Sequence, residues 1–145
     1  MKYSEKIIIN LPRKRVLELF DSTENLYKWQ PGLISFDHIS GTAGEVGAKS
    51  KLHYKMGSRE IEMIETITVK NLPNEFSGTY EAKGVWNEVK NYFHEMDENT
   101  TKWVSENEFQ CSGFMKIFAW LMPRNFKKVT KKYLILFKEF AKSQS

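Results

Sequence analysis

Six stretches between residues 34 and 109 alternate polar and apolar side chains with a period of two, and most of them are separated by short turns. This alternation is typical of half-buried β-strands, and short connections join antiparallel neighbours. The predicted strands are Ile34–Ser40, Lys49–Met56, Arg59–Leu72, Phe76–Ala82, Val85–Met96 and Thr100–Phe109. An extended antiparallel sheet is therefore the framework of the fold.

Helical signals lie on both sides of this strand region. Residues 2–10 predict a further strand, and Pro12–Phe20 and Asp21–Trp29 predict two short helices. After Ser112-Gly113 the apolar residues recur at helical spacing, and Pro123 should start a second helical segment or kink one long helix. The predicted fold class is α+β, a curled seven-stranded antiparallel sheet wrapped around a long C-terminal helix, with two short helices between strands 1 and 2.

The glycine-rich segment GTAGEVGAKS, at residues 41–50, does not fit a phosphate-binding loop. A P-loop needs a lysine directly after its last glycine, and a helix must follow to complete the anion site. Here Ala48 separates Gly47 from Lys49, and the following residues alternate like a strand. We interpret the segment as a flexible loop between two strands.

Length and composition favour one cytoplasmic domain. A chain of 145 residues has the size of an ordinary domain, so we expect a single domain over residues 1–145. One cysteine, Cys111, and no apolar run long enough for a signal peptide or membrane helix favour a reducing compartment. The dispersed histidines His38, His53 and His94 lack neighbours at ligand spacing, so no metal and no cofactor is predicted.

The net charge of +4 is concentrated near the C-terminus. Residues 116–142 contain eight basic side chains and one acidic side chain. Such a stripe is usually the solvated face of a helix, although it could attract phosphate-bearing partners. Nucleic-acid binding is disfavoured, because the aromatic residues are predicted to lie inside and not among exposed lysines. We expect at most a weak, salt-sensitive association with anionic membranes.

Four segments and the order of the elements resemble a known family. The segments are LYKWQPGL at residues 26–33, the loop at 41–50, the Leu72-Pro73 corner and GFMK at residues 113–116. Over essentially its whole length the chain resembles the SRPBCC superfamily of START-like, helix-grip proteins, which includes polyketide cyclase/dehydrase-type bacterial members and the birch pollen allergen. The resemblance implies a hydrophobic pocket for a lipid, polyketide, sterol or other small molecule. It implies catalysis in only some branches, and it transfers no catalytic residue.

Period-two alternation gives each strand one more apolar face, which should face the C-terminal helix. A bent sheet with one helix across it leaves space, so we predict a cavity of roughly 300–1,000 Å³ between them. Val69 and Val129 are also assigned to the inward faces. The predicted ligand-binding residues are Tyr54, Met56, Met63, Glu65, Tyr80, Asn87, Asn91, Trp103, Ser105, Asn107, Met115, Phe118, Met122, Phe126 and Tyr133.

The polar members of this set leave two interpretations open. They could satisfy one another inside an ordinary core, or they could orient a ligand. Glu65 is the best candidate for ligand orientation or for acid–base catalysis, because a buried carboxylate without a cationic partner has a raised pKa.

Three functions compete at this point. The first, which requires the fewest specific residues, is a carrier or sensor of an apolar small molecule that acts as a monomer or dimer. The second is a polyketide cyclase/dehydratase-like enzyme in which Glu65 or Tyr80 moves protons while Asn87 and Asn107 hold a carbonyl. The third is an interaction module that docks through its basic C-terminal helix. The identity of the ligand is not readable from these residues.

Overall fold

The computed structural model describes residues 1–113, 115 and 123–144, without the side chains of Met56, Pro123 and Arg124. The elements are β1 (Lys2–Ile9), α1 (Arg13–Phe20), α2 (Thr23–Trp29), β2 (Leu33–Ser40), β3 (Lys49–Met56), β4 (Arg59–Asn71), β5 (Glu75–Ala82), β6 (Val85–Asp97), β7 (Thr100–Cys111) and α3 (Pro123–Ser143). The predicted order of strands and helices is confirmed. The predicted helical segment before Pro123 lies outside the described residues, apart from Met115.

The seven strands form one antiparallel sheet in the order β1-β7-β6-β5-β4-β3-β2. The two short helices connect β1 and β2, which are the two edge strands. α3 packs against β1 and α2. The described part of this helix runs from Pro123, the residue at which a second helical segment or a kink was predicted, to Ser143. The curled sheet with a C-terminal helix is therefore the predicted fold class. No helix within the described residues is long and apolar enough to cross a membrane.

The glycine-rich loop is a turn fixed by backbone contacts. β3 begins at Lys49, two residues after the last glycine, as the alternation predicts. The Gly47 N–H donates to the carbonyl of Ile67 at 2.8 Å, and Lys70 Nζ donates to the carbonyl of Gly44 at 2.9 Å. Gly41 has a φ of 77°, and a Cβ there would lie 2.9 Å from the Cα of Ala48. The glycines thus serve a tight turn beside β4.

Aromatic rings from both short helices, two strands and α3 form the centre of the main core. Phe137 of α3 is fully buried, and its ring centroid lies 5.1 Å from Trp29 and 5.4 Å from Trp103. Phe20 contacts the same three rings and Phe93. This cluster fixes α3 across the sheet. A smaller cluster around Leu33, Leu52 and Tyr54 covers the β2–β3 side.

Two residues assigned to the inward faces are exposed instead. Val69 is 36% exposed, because a β-bulge between Ile67 and Val69 inserts one residue and reverses the alternation. Val129 is 46% exposed, because the buried stripe of α3 passes through Thr130, whose hydroxyl lies 2.6 Å from the Tyr3 hydroxyl. Both inward assignments were wrong.

Candidate ligand-binding site

A row of side chains runs across five neighbouring strands on one face of the sheet. The register pairs Ser50 with Glu65, Glu65 with Tyr80, Tyr80 with Asn87, and Asn87 with Phe109. Directly opposed residues in antiparallel strands have Cβ atoms about 5 Å apart. Three of the sequence-predicted site residues, Glu65, Tyr80 and Asn87, are therefore consecutive members of one row. We refer to these five residues as the cross-strand row.

The cross-strand row lies on the face of the sheet that α3 covers. Its last member, Phe109, packs against Phe126 of α3 with ring centroids 4.5 Å apart. On the adjacent edge strand, the Tyr3 hydroxyl donates to the carbonyl of Phe126 at 3.0 Å. Phe126 is thus at the helix–sheet contact, as predicted.

Two further tyrosines approach the row from β3 and α3. Tyr54 is buried, and its hydroxyl donates to Gln30 Oε1 at 2.6 Å. Burial raises the pKa of Tyr54, and proximity to Tyr133 and Glu65 raises this pKa further. Because these electrostatic effects require short separations, the three predicted residues lie near one another. Gln30 fixes the end of α2 against this group.

Glu65 and Tyr80 combine partial exposure with desolvation. Both side chains are half-buried, yet burial is the main cause that raises the pKa of each. An interaction with the Tyr80 phenol opposes the rise in the pKa of Glu65. The pair therefore offers a carboxyl and a phenol that are desolvated but still partly accessible on the sheet face that α3 covers.

The amides and the serine near the other end of the site bond mostly to protein groups. Trp103 Nε1 donates to Asn91 Oδ1 at 2.9 Å, and Asn107 Nδ2 donates to Ser105 Oγ at 3.0 Å. Asn87 Nδ2 donates to the carbonyl of Glu108 at 3.2 Å. For these residues the interpretation of mutual satisfaction describes the contacts.

The remaining predicted residues divide into three groups. Met63 packs against the small cluster around Leu52, and Tyr133 packs against the main core. Met115 lies against the β5–β6 turn, because its side chain is within 3.3 Å of the Cβ position at Gly84. Phe118, Met122 and the side chain of Met56 lie outside the described residues.

Basic side chains of α3 are engaged on the β1 side. Lys127 Nζ and Lys131 Nζ each lie 3.8 Å from a carboxylate oxygen of Glu5, and Lys131 also donates to the carbonyl of Lys6 at 2.8 Å. These contacts attach the helix to the edge strand. They reduce the basic surface that α3 can present to an anionic partner.

Sequence reasoning missed two residues of the site, Gln30 and Ser50. Gln30 stands within the LYKWQPGL stretch but carries no signal that points to Tyr54. Ser50 is 6% exposed and directly opposite Glu65. Its position follows from the two-residue turn at Gly57-Ser58, since a tight hairpin fixes which residues oppose one another.

Two grooves among the described residues lie away from the cross-strand row. One, of about 510 Å³, is bounded by α1 and the Leu72-Pro73 corner. The other, of about 450 Å³, runs beside Trp86 and Cys111. Neither touches Glu65 or Tyr80, so the cavity between sheet and helix stays a prediction.

The fold was compared with known proteins. No family model and no curated protein matches the chain. A conserved protein from Geobacillus kaustophilus matches with a TM-score of 0.83 at 13% identity, covering 99% of this chain and 96% of its own. A norcoclaurine synthase from Thalictrum flavum, in complex with dopamine and hydroxybenzaldehyde, matches at 0.76 and 10% identity, with coverages of 100% and 88%. An aromatase/cyclase from a Streptomyces species matches at 0.74 and 10%, with coverages of 98% and 93%. Identities this low show a shared fold alone.

Proposed function

Because the chain has the helix-grip fold of the SRPBCC superfamily, we propose that it binds a hydrophobic small molecule or lipid between the sheet and α3, as a carrier or sensor. The observation that carries this proposal is the Glu65–Tyr80 pair, which lies opposed in the sheet face that α3 covers and is desolvated but still partly accessible. In a filled core, burial of these polar groups without hydrogen-bond partners would cost free energy.

The surroundings of the pair suit an apolar guest. Met63, Leu52 and Phe36 supply apolar surface on the β2–β4 side, and Tyr80 packs against the same cluster. Small-molecule sites combine such surfaces with a few polar groups that set orientation. The norcoclaurine synthase with its aromatic ligands and the aromatase/cyclase support small-molecule binding for this fold.

A bound ligand should raise the melting temperature. At about 100 times its dissociation constant, a ligand adds roughly 2.7 kcal/mol to the free energy of unfolding. For a chain of this length we expect a shift on the order of 5–10 °C. A thermal screen of sterols, flavonoids, quinones and fatty acids measures it.

The position of the ligand is tested by a matched pair of variants. Asn87→Phe places a large ring in the cross-strand row and should abolish the shift. Lys90→Phe places the same ring at an exposed position of β6 and should preserve it. A flat screen with the wild-type protein, or equal shifts in the two variants, would count against an internal site.

A second candidate, a cyclase/dehydratase-like enzyme, is favoured by the same carboxyl and phenol. Burial raises the pKa of Glu65, which favours a carboxyl as a proton donor or acceptor, and Tyr80 could hold a developing oxyanion. Incubation of a poly-β-ketone substrate, followed by chromatography of the products, separates the two functions. Product formation that disappears in Glu65→Gln would support the enzyme, whereas binding without conversion supports the carrier.

A further inference from the structure

We propose that the ligand carries a basic amine on an apolar body, and that Glu65 is the group that receives the ammonium. This inference rests on the proposed function, since it names the chemical class of guest for the same site. It follows from the polar groups that surround Glu65 and from their capacity to donate or accept hydrogen bonds.

Hydroxyl groups surround Glu65 on its neighbouring elements. Tyr80 faces it from β5, Ser50 from β3, and Tyr54 lies close by on β3. From α3, Tyr133 approaches Tyr54. Burial raises the pKa of all three tyrosines, so their hydroxyls are neutral donors at physiological pH. The carboxylate is therefore the one group of this set that can carry charge at that pH.

No cationic side chain among the described residues forms an ion pair with Glu65. On β3, Lys51 pairs with Glu62 at 3.6 Å, and Lys49 donates to Thr66 at 2.9 Å. On α3, Lys127 and Lys131 are directed to Glu5. Within the part of the chain that the structure describes, the charge of Glu65 is therefore unmatched by a cation.

An ammonium group matches that charge. It donates to the carboxylate oxygens through charge-assisted hydrogen bonds, which are stronger than those between neutral groups. It also recovers part of the solvation that the carboxylate loses in its recess. The aromatic rings near the pair can add a cation–π attraction. The apolar cluster around Leu52 would then cover the body of the guest.

Two probes that differ in one group test the inference. They are 2-(2-naphthyl)ethylamine, which is cationic at pH 7.5, and 2-(2-naphthyl)ethanol, which has the same body and a neutral hydroxyl. Calorimetric titration should show that the amine binds wild-type protein about ten- to a hundredfold more tightly than the alcohol, as expected for a hydrogen bond to a charged group. In Glu65→Gln the amine should lose this advantage, and the affinity for the alcohol should stay within about twofold.

Glu62→Gln is the matched control, because Glu62 lies on the same strand with an exposed carboxylate. It should leave both affinities unchanged. Equal affinities of the two probes for the wild type, or an amine advantage that survives in folded Glu65→Gln, would overturn the amine inference and leave the hydrophobic-ligand proposal intact. Failure of both probes, together with a flat thermal screen, would instead refute the proposed function as well. Circular dichroism of each variant verifies that it is folded.

Discussion

Phe137→Ala is expected to lower the free energy of unfolding by about 3–5 kcal/mol, the range for truncating a fully buried phenylalanine. Phe137 has no exposed surface, and its ring contacts Phe20, Trp29 and Trp103 with centroids 5.1 to 5.7 Å apart. Alanine would leave a cavity at the point where α3 meets the sheet and both short helices. Urea denaturation at constant m-value measures the loss.

The control for this variant is Ile135→Ala on the same helix. Ile135 is 42% exposed, so its truncation should change the free energy of unfolding by no more than about 0.5 kcal/mol. The melting temperature should fall by roughly 10–15 °C in the first variant and stay nearly constant in the second. Similar losses in both variants would mean that α3 is not held by the aromatic cluster.

The aromatic cluster around Phe137 also affects the candidate site, because it positions α3. Tyr133 lies one helical turn before Phe137, so both side chains project from the same side of α3. Tyr133 is near Tyr54, which contacts Gln30 at the end of α2. The aromatic cluster thus sets the distance between α3 and the cross-strand row. A helix that is held at a fixed height above a curled sheet can leave a defined space beneath it.

Much of the cross-strand row was predictable because tight turns fix register. Met56 pairs with Arg59, and Ala82 pairs with Val85, so each hairpin turns through two residues. Gly57 and Gly84 take the positive φ values, 63° and 78°, that such turns favour. Counting outward from the first turn places Ser50 opposite Glu65. Counting from the second places Tyr80 opposite Asn87.

Other features depend on interactions that local patterns do not encode. The β-bulge before Val69 reverses the alternation, although β4 itself contains no glycine or proline to mark it. Contacts with β1 decide which face of α3 is buried, since Thr130 and Lys131 contact residues more than a hundred positions away in the sequence. The hydrogen bond from Tyr54 to Gln30 likewise joins two elements through the tertiary fold. Periodicity identifies faces, but long-range packing decides which side chains meet.

The charge of Glu65 should make the stability of the protein depend on pH in a recognisable direction. Burial raises the pKa of Glu65 above its ordinary value of 4.5, so the folded state binds this proton more tightly than the unfolded state does. The resulting stabilisation is fully present below the ordinary pKa. It is lost as the pH rises through the raised pKa of the folded state. Above the raised pKa the folded protein therefore carries the desolvation cost of a carboxylate that no described cation pairs.

Glu65→Gln removes that cost and keeps the size and shape of the side chain. We expect the variant to be more stable than the wild type above neutral pH, by about 1–3 kcal/mol, the penalty typical of an unmatched buried polar group. Below pH 4 the difference should disappear, because the wild-type carboxyl is then protonated and can also donate a hydrogen bond. Urea denaturation of both proteins between pH 3.5 and pH 8 measures the difference, and Glu62→Gln serves as the control on the same strand. A variant that loses stability relative to the wild type as the pH rises would show that a cation stabilises Glu65 within the folded chain, and the carboxylate would then be a structural group with no charge left for a ligand.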